Sequence, residues 1–172
     1  MFIHICIRES DMNIVVIVQA RMNSTRLPGK VMLPVLGKSL LIRQIERIKA
    51  SHLSTSVVVA TTTENTDDLI VKLCHNEGIE CFRGDENDVL DRHYQAGLYY
   101  NADVIIKIPS DCPLIDPRII DKVIKFYIDH CTEYDFVSNL HPATYPDGND
   151  VEVIPMSILE YTHKHAKNSY ER

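Results

Sequence analysis

The chain has 172 residues, 45% of them hydrophobic, enough for one domain with a buried core. Its 18 basic and 24 acidic residues leave a formal net charge of -6 at pH 7 with no basic stripe, which argues against nucleic acid as a partner. Five widely spaced cysteines (Cys6, Cys74, Cys81, Cys112 and Cys131) form no CxxC pair, which argues against a disulfide framework or structural zinc and for a reducing cytoplasm.

Residues 1–11, MFIHICIRESD, lack the basic start and apolar length of a signal peptide, and no later stretch is long enough to span a bilayer. They are expected to be a disordered or extraneous extension, with the domain proper over 12–172 and incomplete at its C-terminus. Residues 14–18, IVVIV, read as a strand covered on both faces. Ser39 caps a helix running to about Ala50, with Leu41, Ile45 and Ile48 on its inner face and Leu40 beside them. A second buried strand covers 57–60. The turn TTTENTDD then feeds a helix with Leu69, Ile70, Leu73 and Cys74 inward, ended by Gly78. A short strand over 79–82 follows, then a helix over 87–100 and a strand over 103–108. Asp116-Pro117 caps and opens a helix that lines up Ile119, Ile120, Val123, Ile124 and Tyr127. Two last strands are expected over 134–138 and 151–154, around a polar Pro-Gly loop. The order β-α-β-α-β-α-β-α-β-loop-β predicts an α/β fold, an open and mostly parallel sheet with helices on both faces and ligands at the carboxyl ends of its strands.

Two phosphate motifs are testable. No G-x-G-x-x-G follows the first strand. Gly37-Lys38-Ser39 imitates a P-loop, but Met32 stands where the first glycine belongs and Pro34 removes an amide, so it reads as a turn and helix cap. The stretch QARMNSTRLPGK after the first strand offers different chemistry. Arg21, Arg26 and Lys30 can gather around several negative charges, Ser24 and Thr25 add short donors, and Pro28-Gly29 shapes the turn. A triphosphate loop fits this set; a solvated surface loop with scattered cations is the alternative.

A triphosphate calls for a divalent cation, and Asp111, just beyond the strand over 103–108, is the best first ligand. Asp116 reads as a cap. Asp150 and Glu152 lie one strand repeat apart and suit a hydroxylated substrate or a metal-bound water, or simply close a loop. Gly84 marks a turn, Asp88 a cap, and Arg92 either a solvated residue or a substrate contact. His93, His141, His163 and His165 form no triad or zinc motif, and Cys112 reads as a small buried apolar residue.

Five blocks in order, QARMNSTRLPGKVMLPVLGKSLL, VVATTTENTDD, RGDENDVLDR, SDCPLIDP and YPDGNDVEVI, resemble the cytidylyltransferase family that includes the acylneuraminate and 3-deoxy-manno-octulosonate enzymes, nearest its spore-coat polysaccharide biosynthesis branch. The resemblance covers nearly all of residues 13–172. It implies a nucleotide-diphospho-sugar transferase-like fold and Mg²⁺-dependent transfer of CMP from CTP to a sugar or sugar acid, with pyrophosphate released, for surface polysaccharide precursors. It implies that Arg21, Lys30 and Asp111 carry the chemistry, with Asp111 on Mg²⁺. Ala20, Ser24, Arg26, Thr61 and Thr62 complete the nucleotide site. The acceptor side is assigned to Arg83, Arg92, Asp150 and Glu152, of which Asp150 matches an acidic position of the family. Two departures stand out. Ser110 replaces a usual glycine, and the match stops at NSYER, where relatives continue with more sheet, a further acidic metal-binding region and dimer-forming elements. A homodimer is expected only where those elements are present. Transfer of another nucleotidyl or glycosyl group, or an inactive nucleotide-binding module, are the alternatives.

Overall fold

The computed structural model describes residues 12–54, 56–143, 145–168 and 172. The expected extension over 1–11, and Cys6 with it, lie outside them. Strand β1 (Ile14–Gln19) is buried along its whole apolar run, as an unbroken β-branched segment in mid-sheet should be. A two-residue hairpin, β2 (Pro34–Val35) and β3 (Lys38–Ser39), turns at Gly37 with φ of 82°. Helix α1 (Leu40–Ile48) follows, capped by the Ser39 hydroxyl, which accepts from the Ile42 amide at 3.3 Å. The GKS segment is therefore the turn and cap expected of it.

Strand β4 (Ser56–Thr62), helix α2 (Asp68–Asn76), strand β5 (Glu80–Gly84) and helix α3 (Val89–Tyr99) come next. Then come β6 (Val104–Pro109), α4 (Pro117–His130), β7 (Val137–Ser138) and β8 (Glu152–Pro155). The six-stranded sheet has the order β5-β4-β1-β6-β8-β7. Strands β5, β4, β1 and β6 are parallel, and β8 and β7 add antiparallel. Alternation along β1 divides the core. Ile14, Val16 and Val18 join the larger cluster beneath α1, α2 and α4, while Val15 and Ile17 join the smaller one with Ala96 of α3. Helices thus cover both faces, as expected.

Four details differ from the sequence reading. Leu69 is 54% exposed, because α2 seats itself through Ile70 and Cys74. The strand expected over 134–138 shortens to its last two residues. An unforeseen helix, α5 (Met156–His165), buries Leu159 against the α3 side of the sheet. Cys74, Cys81 and Cys112 are free thiols, but Cys131 is disulfide-bonded, so the expectation of cysteines without disulfides fails at that residue. No helix among the described residues is long and apolar enough to cross a membrane.

Candidate active site

Strands β1 and β6 are neighbours in parallel register, with Gln19 opposite Pro109. The loops leaving their carboxyl ends therefore face each other across one gap. That gap is a cleft of about 260 Å³ lined by Gln19, Arg21, Ser24, Arg26, Lys30, Lys107, Ser110 and Asp111 among others. Its position is the one an open α/β sheet reserves for ligands.

One rim is the cationic loop. Its start is stitched to the sheet by the Ala20 amide donating to the Ala60 carbonyl at 3.0 Å. The Met22 amide donates to the Asp67 carboxylate at 2.7 Å. The loop closes on itself where the Gly29 amide reaches the Met22 carbonyl at 2.8 Å, with Gly29 at φ of 71°. Lys30 begins a 3-10 turn (Lys30–Met32) pinned by buried Val31. Arg21 and Arg26 make no hydrogen bond or ion pair among the described residues, which leaves their guanidinium donors free for a ligand.

Asp67, which sequence reasoning passed over inside a polar turn, organises this rim. It is 1% exposed and accepts from the Met22 amide, from the Thr61 and Thr62 hydroxyls at 3.0 and 2.5 Å, and from the Thr62 amide at 3.1 Å. Burial raises its pKa, and the bonds from Thr62, Met22 and Thr61 outweigh burial and leave it below the usual carboxylate value. Thr61 and Thr62, expected beside a nucleotide base, instead spend their hydroxyls on Asp67 inside the protein. Their contribution is to hold the loop.

The other rim carries Asp111, half-exposed, with Lys30 Nζ at 2.6 Å from its Oδ2. An ammonium already occupies the place of a cation there. Asp111 alone would suit Mg²⁺, which takes one or two carboxylates and completes its shell with water and substrate phosphate. Among the described residues no three His, Cys, Asp or Glu side chains converge as a metal cage. Ser110 is buried, and the described residues with positive φ other than glycine are Leu36 and Asn101, so the backbone at Ser110 is one that any residue adopts. Asp150 faces the same field from the next loop. Burial, then the charges of Asp147, Asp111 and Glu152, raise its pKa. Burial, then Asp150 and Asp111, push the Cys112 thiol up to about 11, which suits the inert apolar role expected of it.

The acceptor-side candidates do not assemble as one group. Asp150 lines a second cavity of about 250 Å³ with Asn139, Tyr145, Asp147 and Asn149. Glu152 is paired with Lys107 at 2.9 Å. Arg83 is spent on the Thr62 and Glu64 carbonyls, both at 2.9 Å, and on Asp68 at 2.7 Å, where it braces the turn that bears Asp67. Arg92 is fully buried, with Nη1 donating to the Asp85 carbonyl at 2.6 Å. It packs where a side chain on Gly84 would strike it, since a Cβ there would lie 2.9 Å from its Cγ. Neither arginine is beside Asp150, and the acceptor role expected of them has no support in this geometry. Gln19 and Lys107 line the cleft and were overlooked. The signal was a polar residue breaking each apolar strand near its carboxyl end.

The sequence model of the family described as cytidylyltransferase matches residues 15–154. The spore coat polysaccharide biosynthesis protein SpsF of Bacillus subtilis is 36% identical over 151 residues, 86% of this chain and 61% of its own length. The 3-deoxy-manno-octulosonate cytidylyltransferase of Chloroherpeton thalassium is 32% identical over 121 residues, 69% of this chain and 48% of its own. This chain thus spans about half to three fifths of those curated relatives. Among solved structures, a cytidylyltransferase from Leptospira borgpetersenii superposes with a TM-score of 0.90 at 37% identity, covering 94% of this chain and 68% of that one.

Proposed function

The chain belongs to the cytidylyltransferase family, and from that premise we propose that it transfers CMP from CTP to a sugar or sugar acid, releasing pyrophosphate. The observation that carries this reading is the cleft itself. Three cations of one loop face a carboxylate of the other across the carboxyl ends of β1 and β6. A triphosphate would seat its charge on Arg21, Arg26 and Lys30, with Ser24 as an added donor, and free guanidinium forks match phosphate oxygens. The acceptor oxygen would attack the α-phosphate in line, so the protein's work is positioning and charge neutralisation.

Asp111 would hold Mg²⁺, which, when bound, supplies positive charge to the phosphate oxygens as they gain negative charge. For that, Lys30 must leave Asp111, and an arriving phosphate gives Lys30 a partner of equal sign to the one it loses. Asp150, whose proton affinity is raised by burial and by the charges of Asp147, Asp111 and Glu152, would help the metal to deprotonate the acceptor. The reaction belongs to the cytoplasm, where free CTP is found. The acceptor class is supported by relatives named for polysaccharide biosynthesis and for a deoxy sugar acid.

The test is product formation with a panel of CTP, UTP, GTP and ATP, Mg²⁺ and candidate sugars, scored by pyrophosphate and nucleotide-sugar together. CTP-selective release of both is expected. Binding of CTP without turnover on any acceptor would favour the inactive binding module instead.

A further inference from the structure

Helix α1 carries one residue that breaks its own pattern. Leu41, Ile42, Ile45 and Ile48 form the buried stripe, and Gln44 sits among them at 0% exposure. A polar side chain at such a place costs free energy unless each of its atoms finds a partner. Both ends of this amide do, and both partners belong to the same short loop. Nε2 donates to the Pro109 carbonyl at 2.6 Å, and Oε1 accepts from the Cys112 amide at 3.1 Å. The two bonds bracket Asp111.

Helix α1 is also tied to the opposite rim. The Leu40 amide donates to the Leu33 carbonyl at 2.8 Å, and the Leu33 amide to the Lys30 carbonyl at 3.1 Å. Val31 is buried in the same cluster as Leu41 and Ile45. The element that grips the loop of Asp111 is therefore the element on which Lys30 is mounted. We propose that Gln44 is the positioning residue of this cleft: by bracketing Asp111 from α1, it sets the separation of the Asp111 carboxylate from the Lys30 ammonium and fixes where a divalent cation is presented to phosphate.

An apolar residue of the same length would fill the volume and abandon both groups. The Cys112 amide would be left buried and unpaired and the Pro109 carbonyl would lose its partner, and the loop would shift to satisfy them. The consequence falls on geometry at Asp111 while the cations of the other rim still bind. The kinetic signature is then a loss in kcat with little change in KM for CTP.

The inference rests on the reading of Asp111 as the metal-binding acid, and one arm of its test does not. Gln44→Met is compared with the wild type by amide exchange, by steady-state kinetics over a Mg²⁺ series, and by Mn²⁺ binding. Exchange at the Cys112 amide is expected to accelerate while interior amides of β1 and β6 keep their protection. The half-saturating Mg²⁺ concentration is expected to rise about 10-fold or more, the usual cost of losing a group that orients a metal ligand. KM for CTP should move less than about threefold. Asp121→Asn serves as the stability control. Asp121 clamps Ser51 and Leu53, at 2.7 and 3.0 Å, away from the cleft, so its loss lowers stability without moving the Mg²⁺ dependence.

Unchanged Cys112 exchange in Gln44→Met overturns the proposal, and so does a Mg²⁺ dependence that moves equally in the Asp121 control. If the wild type makes no CMP-sugar, the functional reading fails while the exchange and Mn²⁺ arms still judge Gln44. If Gln44→Met does not fold, Gln44→Asn takes its place. One methylene shorter, its amide cannot span from α1 to both Pro109 and Cys112, so Cys112 exchange accelerates and the Mn²⁺ affinity falls; unaltered exchange and Mn²⁺ affinity overturn the proposal there.

Discussion

The two rims of the cleft are built on opposite plans. The cationic rim is a long loop whose working side chains, Arg21 and Arg26, make no hydrogen bond or ion pair among the described residues and whose anchors are backbone amides running to Asp67 and Ala60. The acidic rim is a tight turn between Pro109 and Cys112, gripped at both ends by a buried glutamine. The difference matches what each would hold. A flexible polyanion can be met by long side chains that adjust to it, and each added fork brings a modest gain. A hard divalent cation demands fixed oxygen geometry, and an error in one ligand propagates to the reacting phosphate. Adaptable charge on one side and a fixed carboxylate on the other is the arrangement expected of a site that positions more than it reacts.

The sharpest way to break this comparison is at the fixed side. Asp111→Asn keeps the size of the side chain and removes its charge, and turnover is expected to fall roughly 100- to 1,000-fold, the range for deleting one preorganised electrostatic contact to a transition state. A loss under threefold would remove Asp111 from the chemistry and leave the acidic rim structural. The adaptable side should respond less. Arg21→Gln or Lys30→Met is expected to cost about 10- to 100-fold in kcat/KM, since neighbouring cations partly compensate. Lys30→Met should barely change stability, because an ion pair whose Asp111 carboxylate is 42% exposed is worth about 0–1 kcal/mol. Thermal unfolding beside kinetics separates the two effects.

The same contrast explains how much of the site the sequence disclosed. The cationic loop was legible because nothing in core patterning accounts for three cations after a buried strand, and two of them make no hydrogen bond or ion pair among the described residues. Asp111 was legible from its place after an apolar strand. Asp67 and Gln44 were not, because both act by bonds to residues distant in the chain, and a polar residue in a helix or turn carries no mark of its partner. Arg83 shows the converse error: an arginine at a strand end looks available until three acceptors from the turn over 62–68 are seen to occupy it. At the level of the fold, the parallel strands stood out as β-branched runs. Helix α5 did not, since Pro155 precedes it without a capping side chain and Leu159 is its buried residue.

Asp67 offers a subtler break, one of stability before activity. Its pKa is lowered on folding, so the charged form is the one the fold prefers. That stabilisation is complete above the free carboxylate value of about 3.9 and is lost as pH falls through the folded value. Asp67→Asn presents an amide to donors that need acceptors and is expected to cost about 1–3 kcal/mol at neutral pH. The gap from wild type should close as the pH drops below about 4. Denaturant unfolding at pH 7 and at about pH 2 measures it. An equal gap at both pH values would mean that the carboxylate's charge is not what holds the cationic loop.

Arg26 should show the smallest effect, and the reason sharpens the comparison. It lies further out than Arg21, exposed, on the part of the loop that no buried side chain anchors. Its contact with a triphosphate would be made in high dielectric, where a single exposed pair contributes about 0.2–1 kcal/mol, or roughly 1.5- to 5-fold in affinity. Such a contribution is screened by salt, because the Debye length shrinks from about 10 Å at 0.1 M to about 3 Å at 1 M. Calorimetric titration of inorganic triphosphate into wild type and Arg26→Ala should therefore show a difference at low salt that vanishes at high salt. Arg21, nearer the strand end and flanked by the Asp67 anchor, should keep most of its contribution in the same series. If Arg26→Ala lost as much as Arg21→Gln and kept that loss in salt, the cationic rim would close over its ligand into a desolvated site, and the contrast with the fixed acidic rim would disappear.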